Sequence, residues 1–448
     1  MHFISWLDYV LLPIYLTVLF LFARSFRDRK YPKGHPWRPY FIPALWAKVG
    51  GAIFIGLIYQ YYYGGGDTGY YFLQSNVLNE AFSKDPWTWL QLVLHVPNGY
   101  EGPVIDYVSR MEWYPPLNNY AVIAISGVFG LLTFNTYLPV SVLFAFLSFT
   151  GVWAMFRTFA TQYPKLVKPV AMVLLFIPST VIWGSGIFKD TICMFGMGWL
   201  LYGLFSLLIQ RKIRLGALVL ACIGFYLIAI IKVYILLALL PALGLWILFY
   251  YSQQIKLGLV RVLLKTVLFA GSILIFLSFS DKFAEEMGQY SLEKIANTAT
   301  VTRDYIYSSS GDEGSAYSLG SFDLSAGGML KLFLPAVNVS LFRPYLWEAR
   351  KPIIFLNALE AALFLFFTLK LLFTLGPLKI WEAITEDPNI QFCLIFSIIF
   401  AFSVGLTSAN FGSLSRYRIP ALPLYGLALV LIYYTHNDSR KPFLRFWK

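Results

Sequence analysis

The chain has 448 residues, of which 58% are hydrophobic and only 13% charged, so no soluble globule could cover its apolar surface. Its net charge of +12 would raise the question of nucleic acid in a soluble protein, but here the basic residues fall in short clusters between hydrophobic runs, where they orient helices in a bilayer. The three cysteines, Cys193, Cys222 and Cys393, lie far apart inside apolar segments without metal-ligand spacing, which makes them packing residues rather than ligands.

Runs at 9–22, 138–156, 215–231, 260–279 and 353–373 are long and nearly free of charge. Only helices or closed barrels satisfy the backbone in hydrocarbon, and alternating barrel strands are absent, so an all-α polytopic transmembrane bundle is expected. The first run follows an acid, Asp8, and has no small-residue cleavage site after it, so it is expected to be a retained helix rather than a signal peptide. Basic clusters at 24–38, 157–168, 211–214, 256–265 and 440–448 are placed in the cytoplasm by the positive-inside rule. About eleven crossings then alternate consistently, at 8–24, 41–62, 137–157, 167–183, 191–210, 215–231, 233–251, 261–280, 353–374, 390–408 and 419–435. The amino terminus is expected outside and the carboxyl terminus in the cytoplasm of a bacterial-type inner membrane. Leu117–Leu132 is expected as an interfacial or re-entrant helix. The whole chain, 1–448, reads as a single transmembrane domain with two long outer loops, 63–116 and 281–352, where function should be sought.

In chain order, the first motif is the run from Tyr61 to Tyr71, in which Gly64, Gly65 and Gly66 precede Asp67 and Gly69 follows. Glycines let the backbone bend sharply and approach a ligand, and they present Asp67 at the membrane surface. Asp67 suits a general base toward an acceptor hydroxyl or a ligand for a divalent cation, Mg or Mn; the plainer alternative is a helix cap. Asp106 and Glu112 come next, before the pair Pro115 and Pro116 that can open the following helix; each is a second-acid candidate or an ordinary solvated charge.

The tight outer hairpin from Phe176 to Asp190 carries Lys189 and Asp190 between apolar spans, where charge is costly unless paired or used. Lys189 could bind an anionic head group, and Asp190 could cap a helix or serve as another acid. Lys232 marks an outer turn that disfavours a base, so it invites phosphate or a carboxylate, unless it snorkels to the surface. Arg416 and Arg418, just before the last crossing, form a plausible fork for phosphate or pyrophosphate; structural pairing with loop acids is the alternative. Arg343 is counted as a further candidate for that anion site, with Tyr345 and Trp347 as interfacial anchors.

With its acidic loop after an early crossing, its Tyr114-Pro115-Pro116-Leu117 start of a juxtamembrane helix, and an outer Arg416-Tyr417-Arg418-Ile419-Pro420 near the end, the chain resembles the GT-C glycosyltransferases. The resemblance implies a membrane enzyme that takes a sugar from a polyprenyl-phosphate-linked donor, with the first-loop acid, here Asp67, serving catalysis. Such members often carry two acids close together; this chain has Gly66-Asp67-Thr68-Gly69 instead, and an extra crossing precedes the catalytic-loop helix.

The expected activity is inverting transfer of the sugar to a glycan, lipid or protein acceptor at the outer face of the membrane. Asp67 would activate the acceptor, and Arg416 and Arg418, helped by Lys189 and Lys232, would hold the departing phosphate. No phosphate-loop signature argues for a soluble nucleotide-sugar donor, and no nucleic-acid partner is expected. Three rivals stay open: a polysaccharide polymerase or ligase, a flippase or transporter of lipid-linked glycans, and a non-catalytic scaffold. A transporter should show ionisable residues within its crossings and broken helices, whereas most charges here fall at the ends of the expected spans.

Overall fold

The computed structural model describes residues 2–96, 102–253, 326–408 and 410–438, with isolated positions 260, 263, 267, 271 and 317. Among the described residues the chain is helical throughout, with no strand. Seven helices are long and apolar enough to cross a membrane, and an eighth span results if one bent pair counts as one. This is a multi-pass membrane protein. The chain gathers into two compact units, 1–236 and 237–448.

In the first unit, α1 (Trp6–Lys30) opens with a reciprocal cap in which the Ser5 amide and hydroxyl donate to the Asp8 carboxylate at 2.8 and 2.9 Å. The other Asp8 oxygen accepts from the Leu138 amide at 2.7 Å, in the first turn of α7 (Tyr137–Gln162). Asp8 is therefore buried, satisfying backbone groups at the starts of two helices. The outward side chains of α1, among them Trp6, Val10, Ile14, Val18 and Leu21, stay exposed, as a lipid-facing helix requires.

Helix α2 (Arg38–Leu57) continues through a π turn, Ile58–Tyr62, into the glycine run. Four shorter helices follow: α3 (Asp67–Lys84), α4 (Pro86–Val93), α5 (Ile105–Val108) and α6 (Leu117–Leu132). Helix α6 has the limits expected from sequence. It packs along α3 through the Ser75–Ser126 hydroxyl pair at 3.0 Å and the Asn79 amide bond to the Gly127 carbonyl at 2.9 Å. The Tyr120 hydroxyl donates to the last turn of α4, at Leu92 O, 2.8 Å.

Helix α10 (Lys189–Leu204), which ends in a second π turn, lies closely along α7. Gly151 and Gly198 meet at this crossing, and a Cβ on either would overlap the other helix's backbone. The crossing expected at 167–183 is broken into α8 (Val167–Leu175) and α9 (Pro178–Trp183). Pro178 has no N–H to give and drives Ile177 to an extended backbone, φ −64° and ψ 123°, which ends the helix before it. The two crossings expected at 215–231 and 233–251 meet at a kink at Lys232, where φ −147° and ψ 70° leave the helical region; together they make up α11 (Leu215–Ser252). Most of the basic cluster 256–265, most of the crossing expected at 261–280, most of 281–325 in the outer loop expected at 281–352, and the basic cluster 440–448 lie outside the described residues.

The second unit contains α12 (Ala326–Phe342), α13 (Pro352–Glu386), α14 (Pro388–Thr407), α15 (Phe411–Tyr417) and α16 (Ala421–Thr435). Helix α13 is interrupted at Gly376, whose φ of 77° only glycine adopts without strain, followed by Pro377. Helices α15 and α16 meet at 66° and form the bent pair. Helix α14 is central: Phe392, Phe396 and Phe400 are buried along it, and Asn389 at its start accepts from the Trp246 indole at 3.0 Å. Leu332, Ala336 and Leu406, with Phe402 against them, fill the seam between α12 and α14.

Candidate functional site

The turn between α2 and α3 has a backbone that only its sequence permits. Gly64, Gly65 and Gly66 take φ values of 69°, 145° and 137°. A Cβ at Gly66 would come within 2.5 Å of the Tyr59 ring, so the tyrosine closes over the turn as well as accepting from the Gly65 amide at 2.9 Å. Asp67 emerges from this turn as the first residue of α3 and is exposed, at the positive end of the helix dipole. One residue on, Thr68 is fully buried and bonded to the Tyr137 hydroxyl at 2.6 Å, which fixes the head of α3 to the head of α7.

The segment carrying Asp106 and Glu112 folds back on α3. The Trp113 amide donates to Gln74 Oε1 at 3.0 Å, its ring lies 4.9 Å from that of Tyr71, and the Tyr71 hydroxyl reaches Asn119 at 3.1 Å. Asp106 and Glu112 are both exposed. The arginine between them, Arg110, forms its 2.6 Å ion pair with Glu80.

Phe188 joins the glycine turn to the hairpin before α10, with its ring 5.6 Å from that of Tyr59. Lys189 follows at the half-buried first position of α10, and Asp190 after it is buried. Asp190 forms an ion pair with Lys232, which is itself buried at the interruption of α11. Of the two partners expected for Lys232, the structure supplies the carboxylate. Leaving helical geometry at Lys232 accompanies this pairing between residues 42 apart.

Sequence reasoning missed Lys48. It is buried in α2 and donates to the carbonyls of Thr180 and Gly184 at 2.9 and 2.8 Å, with Ser148 adding a 2.6 Å bond to Gly184. It thereby gives a donor to one carbonyl in the last turn of α9 and one just after it. A cation in the middle of an apolar run was the available signal. Glu360 and Asp8, both buried acids, were missed likewise.

In the second unit, Arg418 is buried, with its guanidinium 3.6 Å from the Glu360 carboxylate and donating to the carbonyls of Arg343, Ser340 and Asn357 at 2.7, 3.4 and 3.4 Å. It ties α12, α13 and α15 together. Arg343 binds Glu348, with its Nε 3.1 and 3.0 Å from the two carboxylate oxygens, and lies over the rings of Tyr317 and Phe411. Burial pushes the Glu348 carboxyl up, but bonds from Arg343 and the Tyr345 amide outweigh it and hold the group below the usual carboxylate range. Arg416 is half-buried on α15, whose first turn is capped by Asn410 through the Gly412 amide at 2.6 Å.

The structure thus brings the Asp67 turn together with the hairpin of Lys189 and Asp190, and Asp190 with Lys232, while Arg343 and Arg418 share a separate cluster in the second unit. Among the described residues no group of three or more His, Cys, Asp or Glu converges as a metal cage. Comparison with family models, with curated proteins and with solved structures finds no match to this chain.

Proposed function

We propose that this protein is a GT-C-like membrane glycosyltransferase with eleven crossings, moving a sugar from a polyprenyl-phosphate donor to an acceptor at the outer face of the inner membrane. The observation that carries the proposal is the exposed Asp67, held at the head of α3 by a three-glycine turn that no other residue type could form. In the proposed step the Asp67 carboxylate takes the proton of an acceptor hydroxyl and the oxygen attacks the anomeric carbon. The carbon–oxygen bond to phosphate breaks, and the polyprenyl phosphate leaves with the electron pair; a single displacement inverts the centre. Lys189, which follows Phe188 and its ring contact with Tyr59, takes the role of holding the departing phosphate in this reading. Arg418, whose guanidinium already serves Glu360 and three carbonyls, is left out of the phosphate role.

The test is transfer from radiolabelled polyprenyl-phosphate sugars by purified protein in lipid. Asp67→Asn should lower turnover by about 10²-fold or more; undiminished transfer by that variant would sink the proposal.

One observation favours a second reading, a transporter of lipid-linked glycans. Lys48, Asp190 and Lys232 are buried charges within or beside apolar spans, and the helices around them are broken at Pro178 and Lys232. In that case the donor stays intact while a fluorescent lipid-linked glycan crosses between leaflets of proteoliposomes, and Asp67→Asn leaves the movement unchanged.

A further inference from the structure

At the end of the first unit that carries its basic connections, two arginines from different elements converge on one side chain. Arg157 lies in the last two turns of α7, and Arg214 stands immediately before α11, where its carbonyl accepts from the amides of Ala217 and Leu218. Both guanidiniums donate to the hydroxyl of Tyr202, a buried residue of α10. Arg157 also stacks on the tyrosine ring, 4.1 Å from its centroid, with Arg214 5.6 Å away.

Both arginines are half-buried, and neither has a carboxylate partner among the described residues. That sets them apart from Arg27, Arg38, Arg110, Arg343 and Arg418, each of which has one. A neutral phenol oxygen offers two lone pairs, whereas two guanidiniums carry ten N–H groups and two like charges. An anion with several acceptor oxygens, seated between them, removes both the repulsion and the surplus of donors, and tetrahedral phosphate matches the arginine fork.

The surroundings indicate where the phosphate comes from. Ile213 and Leu215, on either side of Arg214, are 79% and 73% exposed, so apolar side chains project outward beside the charged pair. Arg211 and Lys212 are exposed on the same connection. A charged head at the clamp with acyl chains along Ile213 and Leu215 satisfies both features at once.

We propose that Arg157 and Arg214, bridged by Tyr202, clamp the phosphate of an anionic lipid head group. The site is separate from the Asp67 turn and does not depend on the glycosyltransferase reading.

The full-length protein, purified in detergent, is incubated with phosphatidic acid, with diacylglycerol of the same chains, or with inorganic phosphate, and bound ligand is counted by native mass spectrometry alongside the unfolding temperature. Wild type should retain phosphatidic acid, retain diacylglycerol at least tenfold less, and keep its lipid in the presence of equimolar inorganic phosphate. Retention of phosphatidic acid should fall about tenfold or more in Arg157→Gln/Arg214→Gln, which corresponds to at least 1.4 kcal/mol. Because the double variant could fold poorly, Tyr202→Phe is the second arm. It removes the shared acceptor but keeps both guanidiniums, so it should hold phosphatidic acid at least as well as wild type and gain more unfolding temperature from it. Equal retention by wild type and a folded double variant, or loss of retention in a folded Tyr202→Phe, would overturn the clamp. Displacement by inorganic phosphate would overturn the lipid as its source.

Discussion

Asp67 and Asp190 both belong to the first unit, both stand in the first turn of a helix, and their neighbourhoods are joined by the Phe188–Tyr59 ring contact, yet one is exposed and the other buried. Asp190 is 1% exposed and bonded to Lys232, whereas Asp67 is exposed behind three glycines with left-handed φ. A buried acid whose charge is met by a buried lysine holds elements in place; an exposed acid in the first turn of a helix stays accessible to a ligand. The comparison predicts that the two acids fail in different ways when neutralised.

The largest effect is expected at the buried pair. Asp190→Asn or Lys232→Met should each destabilise the protein by about 3–5 kcal/mol, because each leaves one charge buried without its partner. The double variant should recover much of that loss, and thermal unfolding in detergent measures both; additive losses would break the contrast. Glu360→Gln tests the same logic in the second unit, with a comparable loss of about 3 kcal/mol from the stranded Arg418. Asp67→Asn should shift unfolding by no more than about 0.5 kcal/mol while abolishing transfer, and an unfolding change as large as that of Asp190→Asn would erase the distinction.

The smallest effect is electrostatic. The Glu348 carboxyl sits below its ordinary value in the folded protein, so the stability it contributes is present above the unfolded value of about 4.3 and is lost as pH falls through the lower folded one. Wild type and Glu348→Gln should therefore differ in unfolding temperature at pH 7 and converge toward pH 3.

Membrane character and most helices were legible in the sequence because length and apolarity are local properties. The short helix Leu117–Leu132 was legible too, since Pro115 and Pro116 mark its start. Pairing was not. Asp190 and Lys232 stand 42 residues apart, and no periodicity links them. The role of Lys48 follows only once the fold has brought it to the carbonyls of Thr180 and Gly184, 132 and 136 residues away in the chain. Arg416 and Arg418 looked equivalent because they flank one tyrosine, but positions two apart on a helical turn face different ways, and it is Arg418 that is buried, beside Glu360.

The bond between Asp8 and the start of α7 also sets an order of assembly. Leu138 lies 130 residues after Asp8, so at a synthesis rate of about 5–20 residues per second it leaves the ribosome roughly ten seconds later. Throughout that interval the first helix has no α7 to dock on, and the Asp8 carboxylate waits in water. The bond between the heads of α1 and α7 therefore forms only after the 130 residues that separate its partners have been made.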